Sequence, residues 1–358
     1  MQFEHLDASG CFGNTISQNQ IRVKQNNSST MKIHFQIFLF LLSVCFWSCN
    51  SAAESPYENI SFVQKKSMPG VASAVAFAID SVGYVTLGRD SSGIFRKECW
   101  AYNPRLDTWT KKTPFPGVAR VKAVAVVLNG KAYVGLGFSG NGVYTEKAYL
   151  KDFWMYDPKI DTWTKKDSFP STFTIGNGYF VQNNTLYITC GTNGAGFNNE
   201  AWKFVADDGE KGNWEKINDF PGPARGVGVG CGNGEHFYFG TGYRTFIEND
   251  WWEYFPASDS WKQRKNMPDT GRENAVALSV NNRIFVATGR HFGGNLTGGH
   301  LKSDVLEYDI AHNVWYERGN MPASGRESAI SFTIGGKGYI GFGENDSKVL
   351  NDFWCFEP

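Results

Sequence analysis

Four arginines recur at one place in this chain. Arg120 stands four residues after Pro116, Arg225 after Pro221, Arg272 after Pro268 and Arg326 after Pro322. The same count lands on Thr174 after Pro170 and on Ser73 after Pro69. Each of these positions precedes a short apolar stretch that reads as the innermost strand of a repeating unit. Guanidinium groups grip carboxylates bidentately, and several like charges at one opening focus their field on an acidic ligand. The chemistry expected is therefore an anion site. The bland alternative is structural: the same arginines can pair with Glu273 or Glu327, or with carbonyls of a neighbouring unit.

The loops expected on the arginine side are long and glycine-rich. Gly137 to Lys151 carries Phe138, Asn141, Tyr144 and Glu146; Gly242 to Asp250 carries Tyr243 and Arg244. Gly289 to Ser303 carries Arg290, His291, Phe292, Asn295 and His300, and Gly343 to Asn351 carries Glu344, Asn345 and Asp346. Aromatic faces beside amides and charges are what a sugar site needs, although solvated loops are polar in any case. The ligand-binding set read from the sequence is Arg120, Arg225, Arg272, Arg326, Tyr243, Arg244, Arg290, His291 and Glu344.

These residues are positioned by a repeat. Trp109, Trp163, Trp214, Trp261 and Trp315 follow one another at about 47 to 54 residues, the spacing of a four-stranded propeller blade. Third strands align as Glu98–Tyr102, Asp152–Tyr156, Glu200–Phe204, Asp250–Tyr254, Asp304–Tyr308 and Asp352–Phe356, each opened by a carboxylate and closed by an aromatic ring. Second strands, such as Ala132–Gly137 and Phe237–Gly242, end on glycines that permit positive φ and close backbone approach. Asn103-Pro104, Asp157-Pro158 and Phe255-Pro256 then turn the chain. The sixth unit stops at Pro358 without a fourth strand. Phe62–Gly70 parallels Trp109–Gly117 and is expected to supply it, removing two exposed sheet edges.

The patterns Asn129-Gly-Lys-Ala-Tyr-Val-Gly-Leu-Gly137 and Tyr156-Asp-Pro-Lys-Ile-Asp-Thr-Trp163 resemble kelch repeats, and the likeness runs from about residue 56 to 358. The third unit departs from it, lacking the proline and carrying Asp207-Asp208-Gly209-Glu210 instead. The resemblance implies an all-β, six-bladed kelch propeller of the galactose oxidase-like superfamily. Kelch folds host unrelated activities, so activity must come from a site. A copper oxidase would need tyrosines, histidines and a cysteine cross-link. Here His236, His291, His300 and His312 are scattered, and no cofactor or metal is expected. Exported six-bladed kelch proteins include sialic acid epimerases, or mutarotases. By that resemblance Arg225, Arg272 or Arg326 would hold a carboxylate, with Glu344 or His291 moving protons. The first reading is a module that binds a glycan, an acidic sugar or an envelope protein; the epimerase is the alternative.

Composition narrows the partners. The 358 residues carry 35 basic and 35 acidic side chains, so bulk charge gives no reason to expect nucleic acid. No Gly-x-Ser-x-Gly elbow, His-Glu-x-x-His or phosphate loop is present. A monomer is expected. Residues 1–30 read as an extension outside the fold and 31–49 as a lipoprotein-type signal: Lys32, an apolar run from Phe35 to Trp47, then Ser48-Cys49. With 50–55 as a linker, this implies a bacterial envelope protein anchored by lipid on Cys49, at the outer membrane, cell surface or periplasm. Cys99, Cys190, Cys231 and Cys355 lack a tight framework spacing and read as buried thiols.

Overall fold

The structure is a computed structural model, described over residues 52–140, 145–206, 211–292 and 299–358. The leader with Cys49, the loop residues Asn141, Tyr144 and Asn295, and the turn Asp207-Asp208-Gly209-Glu210 lie outside the described residues. Six four-stranded antiparallel sheets are present, each running a-b-c-d from the inside outward. Blade 1 is Val75–Ile79, Val82–Thr86, Cys99–Asn103 and Thr108–Lys112. Blade 2 is Val124–Leu128, Lys131–Gly135, Phe153–Asp157 and Thr162–Lys166. Blade 3 is Gly178–Gln182, Thr185–Thr192, Phe197–Val205 and Asn213–Ile217. Blade 4 is Val229–Gly232, Phe237–Gly240, Trp251–Phe255 and Ser260–Gln263. Blade 5 is Val276–Val280, Arg283–Ala287, Asp304–Asp309 and Val314–Asn320. Blade 6 takes strands a to c from Ile330–Ile334, Lys337–Gly341 and Phe353–Phe356. Its outer strand is Phe62–Lys65, paired antiparallel with Phe62 opposite Phe356 and Lys65 opposite Phe353.

The apolar columns of the repeat become the packing between blades. Phe115 packs edge-on against Trp163 at 5.2 Å, Phe220 against Trp261 at 5.2 Å and Trp251 against Trp315 at 5.1 Å. Such offset aromatic contacts add to simple area burial. The indole N–H groups of Trp109, Trp163, Trp214 and Trp315 donate to the carbonyls of Lys66, Thr113, Asp167 and Lys265, tying the outer strands to the neighbouring segment.

Two rings of backbone hydrogen bonds fasten the blades near the axis. The amides of Gly88, Gly137, Gly191, Gly242, Gly289 and Gly343 donate to the carbonyls of Arg120, Thr174, Arg225, Arg272, Arg326 and Val71 in the next blade, at 2.8–2.9 Å. Only glycine fits at such a place. At Gly242 φ is +93°, and a Cβ would stand 2.6 Å from the Gly226 carbonyl oxygen. This ring also corrects the alignment of blade 1. The partner of Gly343 is Val71, and Ala72 bridges Arg89 as Val121 bridges Phe138, so Val71 and not Ser73 occupies the arginine position. Blade 1 is shorter on the way into strand a, and counting from the proline overshoots by two residues.

The second ring passes through Ser73, Lys122, Gly176, Val227, Asn274 and Ser328, all with φ between 51° and 65°. At five of the six junctions one of these amides donates to the carbonyl of the residue before it in the ring. The ring stands where the a strands begin. Beyond it the axial channel is a cavity of about 220 Å³ walled by small residues such as Ala76, Ala125, Gly230 and Ala277. Ligand pockets commonly run from ~300 Å³ upward, so the channel itself is narrow for a sugar.

Candidate functional site

The four recurrent arginines are placed at equivalent positions, but they do not line a mouth. Arg120, Arg225, Arg272 and Arg326 are each wholly buried. Each guanidinium forks onto the aspartate that opens strand c of its own blade: Asp152 at 2.7 and 2.8 Å, Asp304 at 2.8 and 2.7 Å, Asp352 at 2.9 and 2.6 Å, and Asp250 in blade 4. Nη1 also donates to the carbonyl of the residue just after strand b, Leu136, Thr241, Thr288 or Phe342, at 3.0–3.1 Å. These four carbonyl residues all have φ near 60°, a left-handed conformation that turns the oxygen inward and costs a non-glycine residue roughly 1 kcal/mol or more. The arginine thus satisfies a strained carbonyl and a partly buried carboxylate together. Burial alone would raise the Asp152 and Asp352 pKa values, but the bonds from Arg120 and Arg326 outweigh it and hold both below the usual range. With every fork occupied, these arginines are not available to an anionic ligand. The ligand-binding assignment of Arg120, Arg225, Arg272 and Arg326 is corrected to a framework role, with Asp152, Asp250, Asp304 and Asp352 as partners rather than Glu273 or Glu327.

The residues that do face one another at the loop side come from the next positions along the chain. Bridges pair Ala72 with Arg89, Val121 with Phe138, Ile175 with Thr192, Gly226 with Tyr243, Glu273 with Arg290 and Glu327 with Glu344. This double ring is polarised. Blades 2 and 3, with a loop residue of blade 1, give an apolar wall in which Val121, Phe138 and Ala148 pack with Phe95, Tyr149 and Ile175. Blades 5, 6 and 1 give a charged wall. Glu327 accepts from Arg290 Nε at 2.7 Å and from Asn274 Nδ2 at 2.9 Å, Arg290 Nη2 reaches Asp346 at 2.6 Å, and Arg89 pairs with Glu344. Blades 2 and 5 oppose each other across the axis, and Lys122 Nζ spans it to Asn274 Oδ1 at 3.0 Å.

Two groups here are electrostatically displaced. Burial lowers the Lys122 pKa, against the opposing pull of Glu273, Glu327 and Glu344. Burial raises the Glu273 pKa; Lys122 and Arg290 pull it down and Glu327 pushes it up. No hydrogen bond to the Glu273 carboxylate forms among the described residues. A carboxyl pushed up and an ammonium pushed down at one mouth are displaced in the directions that acid–base work requires.

Of the other sequence-derived residues, Arg290 and Glu344 fall within the charged wall. Tyr243 belongs to the same ring and packs edge-on against Phe197 at 6.0 Å. Arg244 lies farther out, paired with Glu248 at 2.9 Å. His291 shares a two-residue hairpin with His300, but its Nδ1 lies 3.1 Å from Thr270 Oγ1 and 3.2 Å from the Gly271 carbonyl. Among the described residues no three His, Cys, Asp or Glu side chains are placed to hold a metal ion. Cys99, Cys190, Cys231 and Cys355 are free and buried, and burial pushes the first three thiols up to about 12. Sequence reasoning missed Lys122, Asn274 and Arg89, and took Glu273 and Glu327 only as partners for arginine. For Lys122, Glu273, Asn274 and Glu327 the signal was the register one and two residues beyond each arginine, and for Arg89 the position after the glycine that closes strand b, which Arg290 and Glu344 share.

No protein-family model matches the chain. Among curated proteins it is similar to N-acetylneuraminate epimerase 1 of Escherichia coli O6:H1, 27% identical over 190 residues, which are 52% of this chain and 45% of that one. It is 26% identical over 254 residues to N-acetylneuraminate epimerase of Salmonella typhi, covering 69% and 59% of the two chains. The enzyme of the same name from Pasteurella multocida is 24% identical over 218 residues, covering 60% and 52%. The chain thus spans about half the length of the curated relatives it matches. Among solved structures it resembles that of YjhT, with a TM-score of 0.66 and 17% identity over 84% of this chain and 95% of the other. That likeness is one of fold, a six-bladed propeller, and the curated relatives at low identity are N-acetylneuraminate epimerases.

Proposed function

We propose that the protein interconverts the anomers of an acidic sugar of the N-acetylneuraminate class at the loop-side mouth. The observation that carries this is Glu273, a carboxyl at the mouth bridge to Arg290 that has no hydrogen bond among the described residues, raised in pKa by burial and within the electrostatic reach of Lys122. Anomer exchange needs little else. A base takes the proton of the anomeric hydroxyl, an acid gives a proton to the ring oxygen, and the bond between that oxygen and the anomeric carbon breaks. The open-chain ketone recloses from its other face, and the protons return. Glu273 serves as the base on opening, and the Lys122 ammonium, its proton loosened by burial, serves as the acid. Arg89 and Arg290, held in place by Glu344 and Glu327, offer charge-assisted donors to the sugar carboxylate. The Val121–Phe138–Ile175 wall offers the apolar face of the ring a surface to rest on.

The test is anomer exchange of N-acetylneuraminate followed by proton NMR. We expect exchange faster than in buffer alone, falling by roughly 10²-fold or more in Glu273→Gln. Because the base form is required, the rate should rise with pH through a pKa above the ordinary carboxylate range, and that limb should vanish in the variant. A wild-type rate equal to buffer sinks the enzyme. Saturable binding of the sugar without acceleration would then leave a glycan-binding module, and no binding at all would point to a protein partner. We further propose anchoring in a bacterial envelope through lipid on Cys49. Metabolic labelling with a radioactive fatty acid should mark the wild-type chain and not Cys49→Ser, and an unlabelled wild-type chain would refute the anchor.

A further inference from the structure

The carboxylates that open strand c follow the arginines in kind. Blades 2, 4, 5 and 6 have arginine with aspartate. Blades 1 and 3 have Val71 and Thr174 in place of arginine, and there the carboxylate is Glu98 and Glu200. Blade 3 refills the vacated space from within. Glu200 accepts from Ser171 Oγ at 2.7 Å, Asn198 Nδ2 at 3.0 Å and Trp202 Nε1 at 3.3 Å, and Asn177 Nδ2 donates to the Cys190 carbonyl at 2.5 Å.

Blade 1 leaves the space open. A cavity of about 230 Å³ lies there, lined by Val71, Met68, Thr86, Leu87, Glu98 and Trp100 among others. Leu87 keeps the left-handed turn seen where the arginines bind, with φ 66°, yet no donor among the described residues reaches its carbonyl. The Thr86 hydroxyl is buried and has no hydrogen-bond partner among the described residues. Among the described residues Glu98 accepts only the neighbouring Lys97 amide, at 3.3 Å. Met68 supplies the floor that Phe115 and Phe220 supply under Arg120 and Arg225. Two cations also line the cavity, and each already has a partner in the same lining: Arg96 pairs with Asp90, and Lys111 lies over the face of Trp100 at 5.1 Å.

We infer that this cavity is a binding site for a guanidinium group brought by a ligand, with Glu98 and the Leu87 carbonyl as its acceptors. Four sister blades show the bound geometry with the chain's own arginine, so the complementarity is built into the repeat. The group could belong to a free guanidino compound or to an arginine of a polypeptide, and the two are told apart by titration.

The probes are methylguanidinium, an arginine-bearing peptide and the same peptide with citrulline, a neutral isostere of arginine. Binding is read from the Trp100 indole N–H resonance at concentrations far below denaturing ones. Saturable binding of methylguanidinium and of the arginine peptide is expected, with the citrulline peptide roughly tenfold or more weaker. A peptide tenfold tighter than methylguanidinium identifies a polypeptide as the source, and equal affinity a small molecule. Glu98→Gln should weaken binding roughly tenfold. Val71→Arg with Glu98→Asp recreates the pair of the sister blades and should abolish binding while raising the melting temperature. The inference is overturned if no guanidinium probe saturates, if citrulline binds as well as arginine, or if either variant leaves binding unchanged.

Discussion

At the scale of single residues, the buried forks separate a framework role from a ligand role by their cost. In Arg326→Met the side-chain volume is nearly kept, but the partly buried Asp352 is left opposite no cation and the Phe342 carbonyl loses its donor. Breaking a fully buried pair from one side costs about 3–5 kcal/mol, and the partial exposure of Asp352 places this loss at about 2–3 kcal/mol. Removing both charges in Arg326→Met/Asp352→Asn should recover a large part of that, because the uncompensated carboxylate is gone. Urea unfolding of the two single variants and the double variant measures the coupling, and strictly additive losses would refute the fork. The pairing was legible in the sequence, since arginine and aspartate occur together in the same four blades. Glu273 and Glu327 stand next to their arginines in sequence and so look like nearer partners, but each bridges the loop side, to Arg290 and Glu344, while its arginine turns to the strand c aspartate.

At the scale of elements, strand order followed from pattern. The aromatic ends of the c strands and the glycines closing the b strands set a period that admits one architecture. The local geometry around the axis was less visible. Left-handed turns at Leu136, Thr241 and Phe342 fall on residue types that do not advertise positive φ, so nothing in composition marks the carbonyls they turn inward. The misplacement of Ser73 has a similar origin, because a count from proline assumes every blade enters strand a at the same length. The inter-blade bond from Gly343 to Val71 is what fixes the register. Lys122 and Asn274 owe their meeting across the mouth to blades 2 and 5 being opposite, a relation that only ring closure creates.

At the scale of the whole molecule, the ring is held partly by charge, which makes its stability depend on pH with a definite sign. Asp152 and Asp352 lie below the usual carboxylate range, and Asp269, raised by burial but more strongly lowered by Arg272 and Lys302, is brought down to about 2. A carboxyl whose folded pKa is depressed binds its proton more readily when unfolded. Its stabilisation is complete above the unfolded value of about 4 and is lost as pH falls through the folded one. Glu273 acts in the opposite sense, contributing less as pH rises through its raised value, but it is one group against several. The urea midpoint should therefore be nearly flat from about pH 8 to pH 5 and fall steeply between about pH 4 and pH 2. Asp269→Asn should remove part of that acid slope while lowering stability at neutral pH, where the ionised carboxylate holds Arg272 and Lys302. A slope unchanged by the substitution would mean that the acid transition is set elsewhere than at the Asp269 pairs with Arg272 and Lys302.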